Sequence, residues 1–77
     1  MKLIGIVTGE YEGNRYAKMI FEEPMERDGC YGINAVISKT NFQYVVTEIL
    51  PLWDQYNGQE VRVYYDRFGK VSEISLI

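Results

Sequence analysis

Aromatic and basic residues alternate along two stretches of the chain, and these are the residue types suited to binding a nucleic acid. Tyr16 and Lys18 lie two positions apart, and Arg62 and Tyr64 repeat that spacing. Because alternate side chains of a strand share a face, each ring is expected beside a cation. Single-strand binders need cations along the phosphate path and flat rings on which bases stack. The predicted nucleic-acid-binding set is Tyr16, Lys18, Arg62, Tyr64 and Arg67, with Tyr11, Arg15 and Lys39 as flanking candidates.

The same residues fit two other interpretations. Tyrosine and arginine are common on the solvated face of an antiparallel sheet, where each cross-strand pair contributes roughly 0.2 to 1 kcal/mol. They are also enriched at protein–protein hot spots, so they could anchor a protein partner or a homodimer formed through a sheet edge. The net charge of −3 disfavours non-specific binding to polyanions. We expect a small module that binds single-stranded nucleic acid, DNA or RNA, with protein interaction or self-association as the alternative.

The chain lacks the residues of most catalytic and metal sites. It has no histidine and one cysteine, Cys30, so Cys–His and Ser–His pairs, Cys/His zinc sites and an internal disulfide are excluded. Cys30 lies in the sequence RDGCYG and is interpreted as an ordinary loop residue. Gly69 and Lys70 are followed by Val71, so they do not complete a phosphate-binding loop. No enzymatic activity and no cofactor are expected.

Carboxylates cluster in the first half of the chain without the spacing of a calcium loop. They are Glu10, Glu12, Glu22, Glu23, Glu26 and Asp28. A calcium loop needs oxygen ligands at a regular spacing, which the stretch EEPMERDG, residues 22–29, does not supply. Solvated charge is the favoured interpretation, and no metal site is predicted.

Size and hydropathy indicate one domain that does not enter a membrane. Residues 1–77 are enough for a single small core, and 47% of them are hydrophobic, which is typical of a folded chain. No stretch approaches the roughly 20 apolar residues of a membrane-spanning helix. A cytoplasmic location and no membrane partner are therefore expected.

Hydrophobic periodicity predicts five strands. They are placed at 2–10, 15–23, 31–39, 61–66 and 73–76. The first is apolar on both faces and contains Gly5, whereas the others alternate. Gly13-Asn14 and Phe68-Gly69 mark the turns of two hairpins. On the second strand, the predicted inward face consists of Ala17, Met19 and Phe21.

One amphipathic helix is predicted between the third and fourth strands. Its apolar stripe comprises Phe42, Val45, Val46, Ile49, Leu50 and Trp53, at helical spacing. Thr40 and Gln43 match a capping box, in which two side chains satisfy backbone amides at the helix start. Pro51 should end the regular helix near Leu50 because the residue before a proline is disfavoured in helical conformation. The stretch PLWDQ, residues 51–55, is expected to continue as a looser turn that places Trp53 inward. The stripe is interpreted as core.

This element order resembles the OB-fold, a five-stranded barrel with a helix between strands three and four. The resemblance rests on that order, on the glycine in the first strand and on the final hairpin GQEVRVYYDRFGKVSEI, residues 58–74. It implies a mainly β, OB-like barrel over residues 1–77, in which strands two and three line a ligand groove. A split-sheet α+β fold and an SH3-like barrel with an inserted helix are the alternatives. Such a small module would suit a phage or mobile-element accessory protein.

Overall fold

The computed structural model describes residues 1–77 and is mainly β, with five strands and one helical segment. The strands are β1 (Lys2–Tyr11), β2 (Asn14–Pro24), β3 (Ile33–Thr40), β4 (Val61–Tyr65) and β5 (Val71–Leu76). Between β3 and β4, the helical segment comprises α1 (Phe42–Tyr44), a π-helical turn (Val45–Ile49), a 3-10 turn (Leu50–Leu52) and α2 (Trp53–Tyr56). The predicted order of strands and helix is therefore confirmed.

All five strands belong to one sheet in the order β1-β2-β3-β5-β4. β1, β2 and β3 form an antiparallel meander, and β4 and β5 form an antiparallel hairpin. The two parts meet at one parallel pair, Thr40 of β3 with Val71 of β5. β1 and β4 are thus the outer strands of the sheet.

The two outer strands come close without forming a ladder. Lys2 and Glu60 make one isolated antiparallel bridge. The amide of Gly58 donates a hydrogen bond to the carbonyl of Leu3 at 2.8 Å. Because these contacts lie outside the strand ladders, the sheet is not closed, and strand pairing does not establish the predicted barrel.

The core lies between the meander, the helical segment and the β4–β5 hairpin. The predicted inward residues of β2 are all buried, so that prediction is confirmed. The buried apolar residues are Leu3, Ala17, Met19, Phe21, Val45, Ile49, Val61, Val71 and Ile74. Full burial of a large apolar side chain contributes roughly 1.5 to 3 kcal/mol.

The start of the helical segment differs from the prediction. Asn41 is the N-cap, and its side-chain oxygen accepts a hydrogen bond from the amide of Tyr44 at 3.1 Å. Thr40 is the last residue of β3, and its buried hydroxyl donates to the carbonyl of Val71 at 2.9 Å. The predicted capping box of Thr40 and Gln43 is therefore wrong, because the contact between β3 and β5 uses the threonine hydroxyl.

The helical segment changes its hydrogen-bond pattern at Leu50, where the regular helix is predicted to end, and it continues past Pro51 as a 3-10 turn. Pro51 lies at the start of the 3-10 turn. A backbone N–H at this position has no hydrogen-bond partner within the turn, so a proline, which lacks the N–H, is tolerated there. α2 then extends the segment to Tyr56. None of these helical pieces is long and apolar enough to cross a membrane.

The predicted apolar stripe is only partly buried. Val45 and Ile49 are inaccessible to solvent, whereas Val46 and Leu50 are 38% and 41% exposed. The π-helical turn closes its hydrogen bonds over one more residue than an α-helix, so it changes which side chains face the core. The prediction from sequence periodicity assumed regular α-helical spacing, so it did not include this change.

Alternate side chains of β3 form two faces, and the more apolar face, which carries Ile33 and Ile37, points outward. Ile33 and Ile37 are 62% and 64% exposed, while Val36 and Ser38 are half-buried. The register explains this, because Val36 pairs with the buried Phe21 and therefore shares its inward face. β3 thus presents isoleucines to solvent.

Candidate nucleic-acid interface

A groove opens where the β1–β2 hairpin extends past the end of β3. Thr40, the last residue of β3, pairs with Ala17, so residues 11–16 project beyond the third strand. The helical segment and the β4–β5 loop contribute the other walls. The volume of this groove, which we call the basic groove, is about 640 Å³. Its lining residues are Tyr11, Asn14, Arg15, Tyr16, Ala17, Lys18, Lys39, Thr40, Asn41, Phe42, Gln43 and Lys70.

A tight turn positions the hairpin wall of the basic groove. β1 and β2 are joined by Glu12 and Gly13 alone, with φ values of 50° and 78°. Positive φ at both residues is typical of a type I′ hairpin turn, whose twist matches that of the strands. Arg15 follows on β2, and its guanidinium carbon lies 5.6 Å from the ring centroid of Phe42. This contact joins the hairpin to the start of the helical segment.

Charge is segregated in the basic groove, although the chain is acidic overall. Arg15, Lys18, Lys39 and Lys70 are four of the eight basic residues, and none of the 11 Asp and Glu residues lines the groove. The ion pair of the structure joins the amino terminus to Glu60, so no Lys or Arg is held by a carboxylate. Arg15 lies opposite Glu10 in the β1–β2 ladder, but the two side chains form no ion pair. Cations without an ion-pair partner around a concave surface raise the local positive potential and attract anions.

Tyr16 lies against the backbone of the neighbouring strand. It pairs with Gly9 of β1, and a Cβ at position 9 would lie 2.5 Å from Cζ and 2.8 Å from Cε1 of the Tyr16 ring. The ring therefore occupies the space that a side chain at position 9 would fill. It remains 41% exposed, and the Lys18 Nζ lies 5.7 Å from its centroid. A base can stack on such a ring while its phosphate meets the adjacent ammonium group.

The structure brings two of the five predicted site residues together with all three flanking candidates. Tyr16 and Lys18 line the basic groove. The flanking candidates that join them are Tyr11, Arg15 and Lys39. Because these residues lie on β1, β2 and β3, the antiparallel meander is what assembles this part of the site.

The other three predicted residues lie outside the basic groove, and we call them the β4 set: Arg62, Tyr64 and Arg67. Arg62 and Tyr64 are exposed on β4, which β3 and β5 separate from β2 in the sheet. Tyr64 pairs with Glu73, so a carboxylate shares its face. The Arg67 guanidinium carbon lies 4.9 Å from the ring centroid of Phe68 in the β4–β5 loop. Participation of the β4 set in binding stays a prediction.

The sequence did not place Lys70 in the site. The Asp66 carboxylate accepts a hydrogen bond from the amide of Lys70 at 3.0 Å, which shapes the β4–β5 loop. Lys70 precedes Val71, and Lys39 precedes Thr40, the residue that pairs with Val71. One parallel pair therefore brings both lysines to the same junction. An aspartate near a glycine signals a turn, but no local pattern shows which strand end that turn meets.

Tyr44 attaches the helical segment to β5 beside the basic groove. Its hydroxyl accepts a hydrogen bond from the amide of Ile74 at 3.0 Å and lies 3.4 Å from the carbonyl oxygen of the same residue. Burial raises the pKa of the Tyr44 hydroxyl, and nearby Tyr56 and Glu73 raise it further, while hydrogen bonding to Ile74 opposes the shift. The folded chain therefore favours the neutral phenol.

No protein-family model matches the chain, and no curated protein or solved structure matches it. The function must therefore be inferred from the geometry and charge of the basic groove.

Proposed function

We propose that this chain is a binding module for single-stranded nucleic acid and that the basic groove is its principal contact surface. One observation carries the proposal: four cations line a groove without any carboxylate, in a chain whose net charge is −3. Three aromatic residues line the same groove, namely Tyr11, Tyr16 and Phe42. A face that contacts only water has no use for segregated cations, whereas in a nucleic-acid-binding groove the cations neutralise the phosphates of the ligand.

The two lysines on the meander would hold phosphate. Lys18 and Lys39 lie directly opposite each other across the β2–β3 pair. Like charges at opposed positions destabilise a sheet by up to about 1 kcal/mol. A phosphate group between the two ammonium groups removes that repulsion, so ligand binding compensates for an unfavourable pair in the free protein.

The aromatic part of the groove favours single strands over duplexes. Tyr16 offers an exposed ring beside Lys18, and stacking on such a ring contributes roughly 1 to 3 kcal/mol per base. In a duplex the faces of the bases are already stacked on one another and cannot reach the ring. Because every base has an aromatic face, the proposal predicts weak sequence preference and involves neither catalysis nor a cofactor.

We also propose that the fold is an OB-like barrel. The strand order β1-β2-β3-β5-β4 supports this, because a closing contact would then join β1 to β4. The bridge between Lys2 and Glu60 lies at that place, as does the hydrogen bond from the Val61 amide to the Met1 carbonyl at 2.8 Å. OB-folds bind oligonucleotides on strands two and three and the neighbouring loops, which is where the basic groove lies.

The β4 set would be a flanking contact for a longer strand. Arg62, Tyr64 and Arg67 are all exposed, and neither arginine has a carboxylate within ion-pair distance. Lys70 follows Arg67 in the same loop and lines the basic groove, so the loop connects the two surfaces. A short oligonucleotide would then use the groove alone.

The test is a titration of fluorescent oligo-dT, followed by anisotropy over a range of salt concentrations. The logarithm of the association constant should fall linearly with the logarithm of salt, by about 0.7 per phosphate contacted. The double variant Lys18→Ala/Lys39→Ala should bind more weakly and lose roughly one to two units of that slope. A protein that does not bind oligo-dT at low salt would refute the proposal.

Arg27→Ala is the matched control. Arg27 is an exposed cation in the loop between β2 and β3, and it does not line the basic groove. The substitution removes one positive charge outside the basic groove, so the affinity for oligo-dT and the salt slope should change little. If Arg27→Ala lowered affinity as much per charge removed as Lys18→Ala/Lys39→Ala does, binding would depend on the overall charge of the protein and not on the basic groove.

A further inference from the structure

One edge of β3 is unpaired over most of its length. β3 pairs with β2 from Ile33 to Thr40, but it pairs with β5 only at Thr40. Outside the strand ladders, no hydrogen bond of the structure involves residues 33–39. The backbone groups that point away from β2 are therefore free to pair with another strand.

This edge lacks the features that usually prevent strand pairing. The β2–β3 ladder runs without a bulge, whereas β1 is bulged between Leu3 and Gly5. Residues 33–39 contain no proline and a single charge, Lys39, at the end. Proteins protect exposed edges with bulges, prolines and central charges. The outward isoleucines of β3, 62% and 64% exposed, add apolar surface beside the free edge.

The two ends of β3 carry opposite charge. At its carboxyl end Lys39 lies beside Lys18, and Lys70 is next to the same junction. At its amino end, β2 and the loop preceding β3 carry four carboxylates and one cation: Glu22, Glu23, Glu26, Asp28 and Arg27. An antiparallel partner of the same sequence would place the basic end of each copy beside the acidic end of the other. A parallel partner would oppose like charges at both ends.

We propose that β3 pairs antiparallel with β3 of a second copy of this chain, about a two-fold axis at Val36. Val36 is the midpoint of the unpaired edge 33–39, so this register uses its full length. Ile33 of each copy then lies opposite Lys39 of the other, and Ala35 lies opposite Ile37. The meanders join into one continuous six-stranded sheet. A short strand pair of this kind buries less surface than a standard interface, so the dimer is expected to be weak and concentration-dependent.

The register is tested by placing opposite charges at one exposed position. Ile33→Lys sets a lysine against Lys39 of the second copy twice in the dimer, and Ile33→Glu sets a glutamate there. Lysine and glutamate are both poor strand formers, so the pair is matched in propensity. Ile33 does not line the basic groove. With two symmetric pairs, the dissociation constant should rise on the order of tenfold for lysine and fall comparably for glutamate.

Sedimentation equilibrium at low salt measures these constants. Opposite shifts for the two variants support the antiparallel register, and so does recovery of the dimer in Ile33→Lys/Lys39→Glu. Equal shifts, or no recovery in the charge-swapped variant, overturn it. A wild-type chain that stays monomeric up to about 1 mM overturns the pairing altogether, because a dissociation constant above that value is too weak for a specific dimer. Oligo-dT binding by Ile33→Lys, measured on the dilute monomer, reports on the groove separately.

Discussion

The Tyr16 ring covers Gly9 on the adjacent strand, in the place where a larger residue would carry its side chain. This contact turns the ring across the sheet instead of letting it project into solvent. It leaves the ring partly exposed and close to the Lys18 ammonium group. The missing side chain at position 9 is therefore part of the proposed stacking surface.

Gly9→Ala should weaken oligo-dT binding without unfolding the protein. The new methyl group would displace the ring, because a Cβ at position 9 would lie only 2.5 Å from Tyr16 Cζ. The ring is the free end of a side chain and can rotate away, so the stability should change by less than about 1 kcal/mol. If Tyr16 stacks on a base, affinity should fall about fivefold or more. Anisotropy titration and thermal melting check the two parts.

Gly5→Ala is the control for this substitution. A Cβ at position 5 would meet the Ile20 Cδ1 at 3.3 Å, and that atom can shift. Neither glycine has a positive φ, so alanine is compatible with the backbone at both positions. Gly5→Ala should leave affinity unchanged. Equal loss of affinity in both variants would show that Tyr16 does not act through its position over Gly9.

Thr40→Val should destabilise the fold by about 1 to 2 kcal/mol, because the carbonyl of Val71 loses its hydroxyl donor in a buried position. Valine keeps the shape of threonine, so packing changes little. The pair of Thr40 with Val71 is also the one link between β3 and β5. Urea denaturation measures the loss. Unchanged or higher stability would contradict the importance of this hydrogen bond.

Tyr44→Phe should lower the free energy of unfolding by about 1 kcal/mol, because the amide of Ile74 loses its phenolic acceptor. For a domain of this size, that corresponds to a decrease in Tm of roughly 4 to 8 °C. Thermal unfolding followed by circular dichroism measures the change. Tyr56→Phe is the comparison, since the Tyr56 hydroxyl makes no hydrogen bond within the chain. A similar loss of stability in both variants would show that the Tyr44 hydroxyl has no specific stabilising role.

Alkaline pH should destabilise the wild type more than Tyr44→Phe. Burial raises the pKa of the folded Tyr44 hydroxyl above the ordinary value of about 10. Well below pH 10 the Tyr44 hydroxyl is protonated in both the folded and the unfolded chain, so the contribution of the neutral phenol to stability is complete. Above pH 10 the unfolded chain ionises first, so this contribution is lost as the pH rises through the folded pKa. Urea titrations at pH 9 and pH 11 should show a smaller difference for the variant.

Arg62→Ala/Tyr64→Ala tests the β4 set with oligonucleotides of two lengths. Both residues are exposed on β4 and outside the basic groove. Affinity for a long oligo-dT should fall several-fold, because one cation and one ring are lost. Affinity for a short oligonucleotide that fills only the groove should not change. Loss at both lengths would place the β4 set within the principal site.

Local pattern was enough to predict much of this chain. The alternation of Ala17, Met19 and Phe21 identified the inward face of β2, and turn residues separated the five strands. Strand periodicity depends only on neighbouring residues, so it can be recognised from the sequence without knowledge of the rest of the fold. The absence of histidine likewise excludes whole classes of site, because a side chain that the chain lacks is missing in every fold.

Tertiary structure decided which residues line the basic groove. Lys39 and Lys70 are 31 positions apart, and they line the same groove because Thr40 pairs with Val71. Strand pairing also turned Ile33 and Ile37 outward, and it separated the β4 set from β2. Charge segregation is a property of surfaces assembled from several elements, and register between distant strands sets it. A sequence that specifies each strand does not by itself specify which of its charges become neighbours.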